Sequence, residues 1–285
     1  MFKKTLLTTA LAFGLGTGGA LAAGGVGEID DHAFSFEGPF GSYDQMQLQR
    51  GLQVFHEVCS GCHGISRVYF RNLTEETGPG MPVDQITEFA KNYFVPDDGL
   101  EAFPGDEREA KLSDNFPENN GAGAPDLSLM AKARAGFHGP SGTGINQLLK
   151  GMGGPEYIKA LLEGYQDTPE CALDSTIDGV YNAVFPNGGF PDECKYEDGT
   201  HKVPGSWISM SQPLWGEDVE YMDGTEATIE QQAADVSAFL MWTAEPKMTQ
   251  RKQAGLTGVV ILGFLTVLLY LTNKKLWYNV KHRTK

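Results

Sequence analysis

The chain has 285 residues, 22 Lys+Arg against 37 Asp+Glu, a formal charge of −15 and four cysteines. A hydrophobic content of 41% argues against wholesale disorder, the acidic balance argues against nucleic acid as a partner, and four cysteines are too few for a disulfide-built scaffold of this size. The 36 glycines and 15 prolines predict many loops and turns.

Residues 1–22 have the three parts of a signal peptide. Lys3 and Lys4 form the positive start, Thr5 to Gly16 is an apolar run too short to span a bilayer, and Ala20-Leu21-Ala22 is an A-x-A cleavage site. The chain beyond Ala22 is therefore expected to be exported. The glycine pattern at Gly14–Gly19 matches G-x-G-x-x-G, but no strand precedes it and no βαβ unit comes after it, so it carries no nucleotide-binding meaning.

Ser42-Tyr43-Asp44-Gln45 has the form of a capping box, and Leu48, Leu52 and Phe55 then recur on one helical face. That amphipathic helix leads into Val58-Cys59-Ser60-Gly61-Cys62-His63, the C-x-x-C-H pattern of c-type haem attachment. Two cysteines three apart on a helical turn can each form a thioether with a haem vinyl group, and the next residue, His63, then lies beneath the iron. A thioredoxin-like reading would want a βαβ context, and a zinc site would want a second metal-spaced pair, which Cys171 and Cys194 do not supply.

The stretch from Thr74 to Gly123 is rich in Pro, Gly, Asp and Glu and reads as surface loop with short helices. Thr228-Ile229-Glu230-Gln231 is a second capping box, with Ile229, Ala233, Val236 and Leu240 on one apolar face and Pro246 as the stop. Gln253 to Asn273 is a run of 21 residues without a charge, long enough to cross a hydrocarbon core of about 30 Å. Lys274, Lys275, Lys281, Arg283 and Lys285 come after it, and Tyr270, Trp277 and Tyr278 suit an interface. The positive-inside rule places that tail in the cytoplasm. Setting aside the two leader lysines and the five tail cations leaves 15 cations against 37 anions, so the exported part carries −22. The expected plan is a leader at 1–22, a periplasmic domain at 23–248, a membrane helix at 253–273 and a basic tail at 274–285.

The sixth iron position decides between an open, reactive haem and a six-coordinate electron carrier. His138 lies in a Gly-rich stretch and His56 on the helix before the motif. Met130, Met152, Met222 and Met241 each have an ordinary packing explanation. Met210 stands out by context, in the polar loop Ile208-Ser209-Met210-Ser211-Gln212-Pro213, although spacing alone does not select it.

Taken together, the chain resembles the cytochrome c1 family, the haem subunits of the cytochrome bc1 complex (ubiquinol–cytochrome c reductase), in its bacterial form. The resemblance runs from about His32 to the C-terminal tail. It is carried by Phe34-Ser35-Phe36-Glu37-Gly38, the helix into Cys59-x-x-Cys62-His63, Pro125-Asp126-Leu127-Ser128 and Met130-Ala131-Lys132-Ala133-Arg134. It continues through Pro155-Glu156-Tyr157-Ile158, Leu161-Leu162-Glu163-Gly164-Tyr165, the Met210 loop, Asp223-Gly224-Thr225-Glu226-Ala227-Thr228 and Asp235-Val236-Ser237-Ala238-Phe239-Leu240-Met241-Trp242 to the anchor.

The resemblance implies a mainly α, cytochrome c-type haem domain with long loops plus one C-terminal transmembrane helix. It implies one covalent haem c held by Cys59 and Cys62, with His63 and Met210 as iron ligands. It makes Arg134 the partner of a haem propionate and places Pro125, Tyr157 and Phe185 in the haem pocket. The expected function is one-electron transfer from a Rieske iron–sulfur protein to a cytochrome c that presents a basic face, beside cytochrome b in a dimeric complex, with no bond-making chemistry in this subunit. The alternative is a haem peroxidase or the cytochrome subunit of a periplasmic dehydrogenase. The chain departs from the mitochondrial pattern between Phe190 and Ile208, where an insertion brings Cys194. In an exported protein Cys171 and Cys194 are expected to pair, as in similar bacterial proteins, and to brace the loop presenting Met210.

Overall fold

The computed structural model describes residues 29–97, 99, 103–119, 121, 123–134, 151 and 153–283. The leader at 1–22, His138 and Met152 lie outside these residues.

Helix α1 spans Gln45–Val54, with Leu48 and Leu52 buried, and Phe55 comes next on the same face. Its cap differs from the expected one. Asp44, not Ser42, closes the N-terminus, accepting from the backbone N–H groups of Met46 at 2.9 Å and Gln47 at 3.4 Å. An ionised carboxylate at the positive end of a helix outcompetes a hydroxyl, and the Gln45 side chain is spent elsewhere, donating to the Glu76 carbonyl at 2.6 Å. After Val54 the helix widens into one π turn, Phe55–Cys59, before the chain turns at Ser60–Cys62.

The stretch from Thr74 to Gly123 holds more than surface loop. It contains α2 (Val83–Ala90) and a two-stranded antiparallel ribbon, β1 (Phe94–Pro96) against β2 (Glu107–Glu109). Ile86, Ala90, Val95, Ala110 and Phe116 from this stretch are buried. Phe116 stacks on Phe70 with ring centroids 4.2 Å apart and meets Tyr93 edge-on at 5.1 Å. Its polar composition reflects the exposed faces; isolated aromatics supply a wall of the core, and single residues leave no periodic trace.

A short helix α3 (Met130–Ala133) and α4 (Gly154–Glu163) pack against α5 (Ile229–Ala244), which also crosses α1. Thr228 caps α5, accepting from the Gln231 N–H at 3.1 Å. The reciprocal half of the expected box is missing, because the Gln231 side chain donates to Asp235 at 3.0 Å instead. Every residue from Gln232 to Thr243 except Met241 is buried, so α5 is the central helix of the domain, not a one-sided one. The α1–α5 crossing is very close. A Cβ on Gly51 would sit 2.1 Å from the Asp235 carbonyl oxygen and 2.6 Å from Phe239 Cβ. Beside it Arg50 donates to both Asp235 oxygens, at 2.9 and 3.2 Å, and to Asp223 at 2.8 Å. Asp235 is fully buried, so this fork supplies the pairing a buried charge requires.

A second, smaller apolar cluster stands apart: Ala172, Tyr181, Ala183, Cys194 and Trp207. It is built on β3 (Val180–Asn182) paired antiparallel with β4 (Ser206–Ile208), with Tyr181 opposite Trp207, and on the Cys171–Cys194 disulfide. The fold is mainly α, with these two ribbons as its only strand pairs among the described residues.

Helix α6 runs Met248–Lys281, 34 residues, or about 50 Å. It extends past both ends of the expected 253–273 span. Its apolar stretch has a mean hydropathy of 2.3 and none of it is buried against the rest of the chain. Hydrophobic surface of this size, presented on all sides, is what a bilayer covers.

Candidate functional site

The π turn and the residues after it place Cys59, Cys62 and His63 on one short arc: Ser60 N–H donates to the Phe55 carbonyl at 2.8 Å, and the N–H groups of Cys62 and His63 both donate to the Cys59 carbonyl. Cys59 and Cys62 are not paired in a disulfide with one another or with any other cysteine. Burial, and secondarily the Cys62 neighbour, push the Cys59 thiol up to about 12. A redox-active Cys-x-x-Cys depends on a lowered thiol pKa, and burial at Cys59 acts in the opposite direction.

His63 Nδ1 lies 2.8 Å from the Pro125 carbonyl oxygen. A carbonyl can only accept, so Nδ1 carries the hydrogen. In the neutral ring the Nε2 lone pair is then left to bind a metal, the same outer hydrogen bond that orients ligating histidines in metal sites. The segment bearing Pro125 is clasped to the chain after the motif. Leu127 N–H donates to the Gly64 carbonyl at 2.8 Å, Ser66 N–H to Asp126 at 2.8 Å, and Arg67 N–H to the Ser128 hydroxyl at 3.1 Å. Burial would raise the Asp126 carboxyl, but hydrogen bonds from Ser128 and Ser66 outweigh it and hold it below its ordinary value.

A cleft of about 150 Å³ lies beside His63, walled by Phe55, Ser60, Tyr93, Phe116 and Asn119 among others. Tyr93 OH is 2.7 Å from His56 Nδ1, and Asn119 donates to the Ser60 carbonyl at 2.9 Å. His56 is thereby engaged with Tyr93. Of these wall residues Tyr93, Phe116 and Asn119 are not legible in the sequence. Single aromatics in an otherwise polar stretch leave no periodic signal.

The other expected positions form separate groups. Arg134 is exposed and comes after α3; its charge acts on Tyr157, a buried residue of α4 whose phenol is nevertheless raised, chiefly by burial. Met210 is half-buried two residues after β4, and Tyr165 OH donates to its backbone carbonyl at 3.2 Å. Phe185 is half-buried, its carbonyl accepting from the Ser206 hydroxyl of β4 at 2.5 Å. Met222 is fully exposed. No hydrogen bond among the described residues joins the Met210 loop to His63.

A model of the family described as "Cytochrome C1 family" matches residues 34–280. A cytochrome c1 of Cereibacter sphaeroides is 53% identical over 287 residues, covering 100% of this chain and 99% of the relative. One of Rhodobacter capsulatus is 52% identical over 281 residues, covering 98% of both chains. A mitochondrial cytochrome c1 heme protein of Saccharomyces cerevisiae is 34% identical over 263 residues, covering 88% of this chain and 73% of the relative. The chain belongs to the cytochrome c1 family.

Cytochrome c1 family proteins carry a covalently bound c-type haem, and the residues present fit one. Two cysteines at the required spacing precede a histidine whose outward nitrogen is tautomerically free. The alternative reading as a peroxidase or dehydrogenase subunit finds no support in these matches.

Proposed function

We propose that this chain is the haem subunit of a ubiquinol–cytochrome c reductase, taking one electron at a time from a Rieske iron–sulfur protein and passing it to a cytochrome c. The observation that carries the site is the His63–Pro125 hydrogen bond within a cytochrome c1-family chain. When bound, haem c supplies a one-electron iron couple. Cys59 and Cys62 would hold it through thioethers, His63 Nε2 and the Met210 sulfur would ligate the iron, and Arg134 would pair with a propionate. Pro125, Tyr157 and Phe185 would line the pocket. A His/Met pair favours a high potential and leaves no open position for bond-making chemistry.

In this reading α6 anchors the chain beside cytochrome b in a dimeric complex. Residues 23–248 face the periplasm after removal of 1–22, and the basic tail 274–285 lies inside. The acidic outer domain would steer a basic cytochrome c. Within that domain Glu107 and Glu109 on β2 are exposed, as are Glu217 and Glu220. Asp218 is less suited, because its carboxylate is spent on the N–H groups of Trp215 and Gly216.

The test is a haem stain of the full chain on a denaturing gel, followed by near-infrared spectra. Covalent haem should be present and should be lost when both Cys59 and Cys62 are replaced by Ala. Met210→Ala should keep the stain and lose the sulfur–iron charge-transfer band. Absence of covalent haem would overturn the function, and survival of the band would reject Met210.

A further inference from the structure

The chain after Met210 has no regular structure until α5, so no ladder of its own holds it in place. Residues 211–227 are fixed by other means. At one end the Tyr165 hydroxyl donates to the Met210 carbonyl at 3.2 Å. Leu214, Val219 and Tyr221 then turn inward and are buried. Gln232 of α5 donates to the Ala227 carbonyl at 2.7 Å. The remaining ties come from α1. Gln53 donates to the Glu220 carbonyl at 3.0 Å, and Arg50 donates to Asp223 at 2.8 Å, with its guanidinium 5.8 Å from the centre of the Tyr221 ring.

We propose that Arg50 and Gln53 are positioning residues for the sixth iron ligand: they strap the Met210 loop to α1, the same helix that runs into Cys59, Cys62 and His63. This role depends on the reading of Met210 as that ligand. Gln53 is the last residue but one of α1, just before the π turn Phe55–Cys59. Both sides of the iron would then be referred to one helix, His63 through the turn at its end and Met210 through the strap along its side.

The Arg50 fork suits this work. Nε and Nη2 are committed to the buried Asp235 of α5, at 2.9 and 3.2 Å, and this fixes the side chain that extends Nη1 to Asp223. A planar fork already anchored in this way loses little rotamer freedom in gripping the loop. Asp223 is held on its other side too, where Oδ1 accepts from the Thr225 N–H at 3.0 Å. A methionine sulfur is a neutral, soft donor, so its hold on ferric iron depends on how firmly the loop presents it. An ion pair that served the fold alone would lower the melting temperature when cut and leave the iron coordination as it was.

The test uses the full-length, haem-loaded chain in detergent, with imidazole as the probe, whose nitrogen displaces a loosely held methionine sulfur from ferric iron. Asp223→Asn keeps an acceptor for Thr225 but presents an uncharged amide to Arg50. Arg50→Lys keeps a cation for Asp235 and loses the reach of the fork to Asp223. A hydrogen bond to a charged group is worth about tenfold or more in an equilibrium constant. Each variant should therefore bind imidazole about tenfold more tightly than the parent, with the sulfur–iron band present before imidazole is added. The double variant should bind it no more tightly than the tighter single one, because both changes cut the same contact. Gln53→Leu leaves both carboxylates paired; it should also strengthen imidazole binding, and it decides the matter if an Arg50 or Asp223 variant fails to fold. Unchanged imidazole affinity in Asp223→Asn or in Gln53→Leu, or fully additive effects in the double variant, would overturn the strap and leave these residues to the fold alone. A parent chain without the sulfur–iron band would overturn the Met210 assignment and the strap with it, a failure visible before any imidazole is added.

Discussion

The disulfide offers the sharpest link between stability and the iron site. Cys171 and Cys194 are separated by 23 residues, so loop closure in the unfolded chain is worth about 3.4 kcal/mol on the chain-entropy relation. Cys194 is fully buried and packs in the cluster of Tyr181 and Trp207, both under 5% exposed. Trp207 is the middle residue of β4, and Met210 comes two residues after that strand. Replacing both cysteines with alanine should therefore act twice. At roughly 2–4 °C per kcal/mol for a domain of this size, the melting temperature should fall by about 7–14 °C. The anchor of the Met210 loop should also loosen. If that costs the reduced form about 1.4 kcal/mol more than the oxidised form, the midpoint potential drops by about 59 mV. Calorimetry and a redox titration of the double variant measure the two effects. A lower melting temperature with an unchanged potential would refute the coupling through β4, and no change in either would refute the brace itself.

Three further outcomes are expected. Arg50→Met leaves the Asp235 carboxylate buried without its fork and should cost about 3–5 kcal/mol, read as a lower denaturant midpoint; a cost under about 1 kcal/mol would mean the pair contributes little. Asp114 is held below its ordinary value, first by its hydrogen bond from Arg108 at 2.5 Å. A depressed carboxyl stabilises the fold above its unfolded pKa near 3.8 and loses that contribution as pH falls through the lower folded value. Arg108→Met should accordingly make acid unfolding begin at higher pH, and identical acid titrations would count against this. Oxidation of the reduced chain by a basic cytochrome c should slow as salt rises, and a rate indifferent to ionic strength would remove the role given to Glu107, Glu109, Glu217 and Glu220.

The features legible in the residues are those that repeat or sit in a fixed local pattern. Leu48, Leu52 and Phe55 mark α1 by their spacing, and 21 uncharged residues mark the anchor by length. Cys59-x-x-Cys62-His63 marks a cofactor because thioether geometry demands that spacing. The rest of the site is held by contacts with no period. The Pro125 carbonyl, the Leu127 N–H and the Asp126 carboxylate reach residues about 60 positions away from irregular backbone. The two ribbons have strands of three residues each, shorter than any alternation can reveal. Even the misplaced cap at Ser42 obeys this rule: the choice between Ser42 and Asp44 is settled by where Gln45 finds a partner, the Glu76 carbonyl 31 residues on.

The same long-range polar contacts set how the domain stands on its anchor. Tyr43 OH donates to the carbonyls of Met241 at 3.2 Å and Glu245 at 3.1 Å, just where α5 ends and α6 is about to begin. Burial would raise the Glu245 carboxyl, but it is held below its ordinary value by Arg251 at 2.5 Å and Lys132 at 3.0 Å, one from α6 and one from α3. Lys252 closes onto the Phe36 carbonyl, and Gln250 onto Thr77 at 3.3 Å. A junction relying on Pro246 alone would be a hinge. This one joins Tyr43, just before α1, together with α3, Phe36 and the loop at Thr77 to the end of α5 and the first turns of α6, so rotating the domain would break several charged or buried hydrogen bonds at once, each worth about 0.5–3 kcal/mol. The Cys59–His63 turn, carried on α1, therefore has a fixed bearing relative to the membrane helix. An electron relay mounted this way depends on its donor and acceptor approaching it, which is the arrangement that an acidic, exposed outer surface serves.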